Sequence, residues 1–163
     1  MPVELPNWLV IALNIVGWPV IHIGLAWLFS RMPAKWFSTQ WKWARPREWE
    51  LRAYSRFTGI RKWKRWLPDG APWVRGVPKR NLRSTSTEYL QTFIIETRRG
   101  ERAHWAMMFA GIVFFLWNPP WADIAMTAYA VAANLPGIIT QRYNRPRLER
   151  LLRAGRLQKR SRA

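Results

Sequence analysis

Residues 103–141 read AHWAMMFAGIVFFLWNPPWADIAMTAYAVAANLPGIITQ and contain no lysine or arginine, in a chain that carries 27 of them. Asn118-Pro119-Pro120 divides the stretch into two apolar runs, Ala103–Trp117 and Trp121–Thr140. Outward from it, the basic residues fall into two blocks, Arg31–Arg102 and Arg142–Arg162, and the other basic-free region, 1–30, holds a third apolar run, Trp8–Phe29. A membrane-spanning helix needs about 20 mostly apolar residues, and flanking Lys and Arg are kept on the cytoplasmic side. The pattern predicts an all-α, small integral membrane protein with about three transmembrane helices plus amphipathic helices at the cytoplasmic interface. One topology satisfies every segment: N-terminus outside, 31–102 inside, an external turn at 118–120 and a basic C-terminal tail inside.

With 163 residues there is room for one domain, 1–163. Its expected parts are a first span at 8–29, an interfacial region at 32–83, a long helix at 86–117 that includes the second span, a third span at 121–140, and a basic tail at 141–163. A net charge of +18 and 13 tryptophans would suit nucleic acid. Basic residues beside spans are drawn to anionic headgroups, and Trp is enriched at the membrane interface. The membrane accounts for both signals, and no nucleic-acid partner is expected. The chain has no cysteine and two histidines, His22 and His104, with no metal-ligand spacing, so no metal is expected. The first apolar run lacks a basic n-region and is followed by a basic stop at Arg31, which reads as a retained anchor.

Local patterns fill in the frame. Trp49, Ala53 and Phe57, then Ile60, Trp63 and Leu67, form helical stripes with basic opposite faces, the mark of helices lying in the headgroup plane. Thr85-x-x-Glu88 reads as a capping box that starts a long helix. The face of that helix runs through Leu90, Ile94, Thr97, Glu101, His104, Met108, Ile112 and Phe115, and Gly100 weakens its continuity. Ala122, Ala125, Ala128, Ala132 and Ala133 suggest that the last span packs at the centre of a three-helix bundle. Pro136-Gly137 should bend or open it. His22 and Asn14 are polar members of the first span, with structural packing the expected role of His22.

Two constellations carry chemistry. Glu101 and His104 are three apart on the apolar face, where one turn brings a carboxylate beside an imidazole; such a pair fixes the tautomer and frees the other nitrogen to take a proton. The alternative is that Glu101 pairs with Arg98 or Arg102 and His104 anchors the helix end. Glu96 points to the opposite side of the wheel. The second constellation is Gln141-Arg142-Tyr143-Asn144-Arg145-Pro146-Arg147, directly after the last span. As a stop signal it needs only charge; the interleaved Gln, Tyr and Asn add directional hydrogen bonding suited to phosphate.

Gly59-x-x-Lys62-Trp63-Lys64-x-x-Leu67-Pro68-Asp69-Gly70, Ile94-Ile95-Glu96-Thr97-x-Arg99 with Glu101 and His104-Trp105, Asn134-Leu135-Pro136, and Gln141 through Leu148 together resemble the glycosyl-4,4'-diaponeurosporenoate acyltransferase family. The likeness covers roughly 59–152. It implies a bacterial inner-membrane enzyme of staphyloxanthin-type carotenoid synthesis that esterifies a sugar hydroxyl of a glycosylated carotenoid with a fatty acyl group. The implied catalytic residues are His104, Glu101 and Glu96. Arg142, Tyr143, Asn144, Arg145, Arg147 and Asp69 would bind substrate, with Glu96 and Asp69 assigned by the resemblance alone. No cofactor is expected; an acyl thioester, on coenzyme A or acyl carrier protein, serves as co-substrate, and membrane lipids are the remaining partners. The rival is a non-catalytic basic membrane protein that binds anionic lipids or a partner complex.

Overall fold

The computed structural model describes residues 3–39, 45–56, 59–63 and 84–160. Among them, helices α1 (Asn7–Arg31), α2 (Glu48–Arg56), α3 (Ile60–Trp63), α4 (Thr87–Ala110) and α5 (Pro120–Arg160) are joined by 3₁₀ stretches at Ala34–Phe37 and Gly111–Leu116, with no strand. The fold is all-α. Phe57, Leu67 and Asp69, and with them parts of both interfacial stripes, lie outside the described residues.

Helices α1 and α5 are long and apolar enough to cross a membrane. At 1.5 Å per residue the 25 residues of α1 span about 37 Å, against a hydrocarbon core of about 30 Å. Trp8, Ile15, Val20 and Ile23 of α1 each expose 63–69% of their surface, and Trp121 and Ile124 of α5 expose 74% and 72%. An apolar surface of that extent is costly in water and costs nothing against lipid. The expected second span, 103–117, is shorter. Its α-helical part ends at Ala110 and continues as 3₁₀, for about 24 Å in all.

That switch to 3₁₀ also breaks the long face expected of α4. Leu90, Ile94, Thr97 and Glu101 are buried and His104 and Met108 half-buried, as the 3.6-residue period requires, but Ile112 and Phe115 are exposed, and Gly111 and Phe114 are buried in their place. Three residues per turn rotates the face within two turns. The cap differs as well. Ser86, one residue beyond Thr85, accepts from the Tyr89 amide at 3.3 Å. α4 runs unbroken through Gly100.

α1 meets this 3₁₀ stretch through two reciprocal glycines. A Cβ on Gly17 would approach the Phe114 ring to 2.8 Å, and one on Gly111 would meet Trp18 at 2.8 Å. Aromatic side chains from each segment thus fill the space that the opposite glycine leaves. Trp18, Phe114 and Ala130 form the resulting core. Beside the 118–120 turn, Asn14 Nδ2 donates to Asn118 Oδ1 at 2.8 Å, while Asn14 Oδ1 accepts from Trp117 Nε1 at 2.9 Å and Asn118 Nδ2 at 3.1 Å. His22 Nδ1 sits 2.9 Å from the Trp18 carbonyl of its own helix.

Two expectations for the last helix give way. Of the five alanines read as a packed face, only Ala122 is buried; Ala125, Ala128, Ala132 and Ala133 are exposed, and Ala130, Gly17, Gly111 and Gly137 make the close approaches instead. Nor does the helix open or stop near 140: α5 continues through Pro136 and Pro146 to Arg160. The reason is packing. Leu148 joins Leu90, Phe93 and Ile94 of α4 in a second core, so 141–152 is the far half of an α4–α5 hairpin rather than a tail.

Candidate functional site

The α4–α5 hairpin changes character along its length. Between the Trp18–Phe114 core at one end and the Leu90–Leu148 core at the other lies a band of buried polar groups. Thr97 and Glu101 enter it from α4, one turn apart; Asn134, Gln141, Arg142 and Arg145 enter from α5 at helical spacing.

Glu101 is the hub of the charged part. It is 3% exposed. Its Oε1 accepts from Arg142 Nη1 at 2.9 Å, and its Oε2 is paired with Arg145. Arg145, 1% exposed, also donates from Nε to Thr97 Oγ1 at 3.1 Å. Arg142 reaches outward from Nη2 and Nε to Glu50 Oε2 of α2 at 2.7 and 3.1 Å. The same Glu50 oxygen accepts from Tyr54 Oη at 3.1 Å. Burial, and then the charge of Glu50, push the Tyr54 phenol above its ordinary pKa. Two carboxylates and two guanidiniums thus offset one another across three helices, with Arg145 Nη1 left buried and without a hydrogen bond; the pairing is what lets four charges leave water.

His104 belongs to a different pair. Both carboxylate oxygens of Glu101 are engaged by arginine. Instead His104 Nδ1 lies 3.2 Å from Asn134 Oδ1. Asn134 is itself fixed, its Nδ2 donating to the Ala130 carbonyl at 3.0 Å. With the amide held that way, Oδ1 is the acceptor, Nδ1 of His104 carries the proton, and Nε2 keeps its lone pair. Gly137 makes room for the ring: a Cβ there would overlap Nε2 and approach Cδ2 to 2.6 Å and Cε1 to 2.7 Å. An imidazole held in this way, half-buried at the join of the apolar and charged halves of the hairpin, has the chemistry to accept a proton from a hydroxyl.

The remaining expected residues are dispersed. Glu96 pairs with Arg99 at 2.8 Å, apart from Glu101. Arg98 and Arg102, the alternative partners for Glu101, direct hydrogen bonds to 36–39, although Arg102 stays within electrostatic reach of Glu101. Arg102 donates to the Trp36 and Thr39 carbonyls at 2.7 and 2.8 Å, Arg99 to Met32 at 3.2 Å, and Arg98 to the Phe37 and Ser38 carbonyls. These three arginines fasten 32–39 to α4. Arg142 and Arg145, expected to hold phosphate, are buried in the ion-pair hub. Arg147 is exposed, stacked at 4.5 Å on the Tyr143 ring and donating to Tyr143 Oη at 2.8 Å. Asn144 is half-buried on the next position, and Asp69 lies outside the described residues.

Three participants escaped the sequence reading. Thr97 stood on the right face, but only as one of a stripe. Asn134 stood in a quoted motif without a partner thirty residues away. Glu50 belonged to an interfacial helix with nothing to show that it faces α5. No group of three or more His, Cys, Asp or Glu arranged to hold a metal occurs among the described residues.

The family model described as glycosyl-4,4'-diaponeurosporenoate acyltransferase matches residues 33–154 of the chain. A curated protein of that name from Staphylococcus haemolyticus (strain JCSC1435) is 34% identical over 148 residues, covering 87% of this chain and 86% of the relative. One from Staphylococcus aureus (strain USA300) is 33% identical over 139 residues, covering 83% and 84%. No solved structure matches the chain.

Proposed function

Because this chain belongs to the glycosyl-4,4'-diaponeurosporenoate acyltransferase family and is thereby an acyltransferase, we propose that it transfers a fatty acyl group to a sugar hydroxyl of a glycosylated carotenoid at the cytoplasmic face of a bacterial inner membrane. The acceptor's apolar body lies in the bilayer against the exposed spans and its sugar rises to the level of His104. Nε2 of His104 takes the proton as the sugar oxygen attacks the carbonyl of an acyl thioester. The carbon–oxygen bond forms, the carbon–sulfur bond breaks, and the departing thiolate takes up the proton. Asn134 holds the tautomer through Nδ1, while Glu101 holds Arg142 and Arg145 and thereby the hairpin.

The observation that carries this reading is the His104–Asn134 pair facing Gly137 at the boundary where apolar helix becomes charged helix. In this reading the N-terminus and the 118–120 turn are external, and 31–102 and the C-terminus are cytoplasmic. The test is co-expression with a glycosyl-carotenoid pathway, with the carotenoid glucoside gaining the mass of one acyl group. An unmodified glucoside beside acylation of another lipid would overturn the acceptor.

Gly137→Ala gives a sharper check on the base. Alanine favours a helix over glycine by about 1 kcal/mol, whereas overlap with the ring costs on the order of 1–3 kcal/mol, so stability should change little or fall modestly. Its methyl displaces the imidazole, and a misplacement of about 1 Å costs on the order of 10²-fold in rate. Turnover should fall by that order while the melting temperature changes only modestly. Wild-type kcat in the variant would mean that the position of His104 is immaterial.

A further inference from the structure

We propose that the arginine-walled pocket between α2 and the second half of α5 binds the phosphates of coenzyme A, so that the acyl donor arrives as its CoA thioester; this rests on the acyl-transfer reading above. The pocket has a volume of about 860 Å³, and its walls carry Arg45, Arg52, Arg98, Arg147, Arg150 and Arg153 against two glutamates, Glu48 and Glu149. Glu149 is engaged by Arg98 at 3.6 Å. Among the described residues, no carboxylate lies in salt-bridge contact with Arg45, Arg52 or Arg153.

The arginines are placed as a grip rather than a scatter. Arg147, Arg150 and Arg153 recur at i, i+3, i+6 and so form one stripe on α5. Arg52 faces them from α2, and Arg98 enters from α4. Arg147 is held ready by its stacking on Tyr143, which also lines the pocket. Guanidiniums gathered around one cavity repel one another unless an anion lies between them, and their planar forks suit phosphate oxygens. An uncharged sugar on a hydrocarbon body has no use for such a wall. One lipid headgroup phosphate would leave most of it unmatched, whereas the diphosphate and 3'-phosphate of coenzyme A supply several anionic groups on one small molecule.

The distance to the base fits as well. Arg98 precedes His104 by six residues on α4, and Tyr143 follows Gly137 by six on α5; each offset is about 9 Å along the helix axis. The Glu101 hub lies between. A phosphate held in the pocket is therefore well away from His104, and the donor must carry its reactive carbonyl on an arm. The pantetheine arm of a CoA thioester has that form.

The test uses the detergent-solubilised full chain titrated with free coenzyme A, with 3'-dephospho-coenzyme A, and separately with vesicles with and without anionic lipid. The double variant Arg150→Gln, Arg153→Gln is expected to raise the Kd for coenzyme A by at least about 10-fold, each lost charge-assisted bond being worth roughly 10- to 150-fold. Dephospho-coenzyme A is expected to bind wild type more weakly. His104→Ala is expected to bind coenzyme A as wild type does. Equal Kd in wild type and the double variant overturns the proposal. So does a variant that loses only binding to anionic vesicles, which makes the pocket a headgroup site. A wild-type enzyme that ignores coenzyme A and turns over only with an acyl carrier protein thioester overturns it too. Coenzyme A binding that depends on Arg150 and Arg153, without acyl transfer to any glycolipid, supports the pocket and removes the acyl-transfer reading instead.

Discussion

Glu101→Gln is expected to destabilise the protein by about 3–5 kcal/mol, the cost of removing one partner from a buried ion pair. The carboxylate is 3% exposed and holds Arg142 and the 1%-exposed Arg145. Glutamine offers one acceptor oxygen and no charge, so two guanidiniums remain buried with only Glu50 to balance them. Water cannot reach Arg145 to replace what is lost. A fall in the thermal or denaturant midpoint of the purified protein, with activity lost in proportion to folded material, is the expected result. A Glu101→Gln protein that melts as wild type does but has lost turnover would place Glu101 in the chemistry after all. The same reasoning makes Glu50→Gln milder, because Arg142 keeps Glu101 as a partner and α2 loses only its clasp on α5.

His104→Ala is expected to show the opposite split: turnover down by the 10²–10⁴-fold that a general base typically supplies, with a modest change in stability. His104 is half-buried, and its removal deprives Asn134 Oδ1 of one partner while Nδ2 keeps the Ala130 carbonyl. Single-turnover acyl transfer in detergent or nanodiscs, set against the melting temperature of the same preparation, separates the two effects. Undiminished turnover would leave His104 as a packing residue against Gly137. Together the two substitutions distinguish a residue that holds the hairpin from one that acts in it, although they lie three positions apart on one helix.

That pair of residues also marks the division between what the sequence determined and what tertiary structure decided. The all-helical class, the two long lipid-compatible helices and the start of α4 are written in local patterns. Lys and Arg segregate from apolar runs because the bilayer is the solvent, and each run declares itself without reference to any other. The resemblance to the family rests in the same way on blocks of adjacent residues. The register of the face of α4 was legible up to Met108 and was lost where the helix tightened to 3₁₀ from Gly111, because three residues per turn shifts the phase. Glu101, His104, Arg142 and Arg145 were legible as candidate site residues, but Thr97, Asn134 and Glu50 were not, and neither were the pairings. Spacing brings Glu101 within reach of His104, yet a buried carboxylate goes to the partners that best offset its desolvation, and those are two arginines 41 and 44 residues away on α5. His104 then takes Asn134, 30 residues distant, which no periodicity relates to it. The basic segment after residue 140 reads equally well as a stop signal or a phosphate clamp in sequence. Only the hairpin decides that Arg142 and Arg145 turn inward to satisfy Glu101, while Arg147, Arg150 and Arg153 turn outward to wall a pocket with α2.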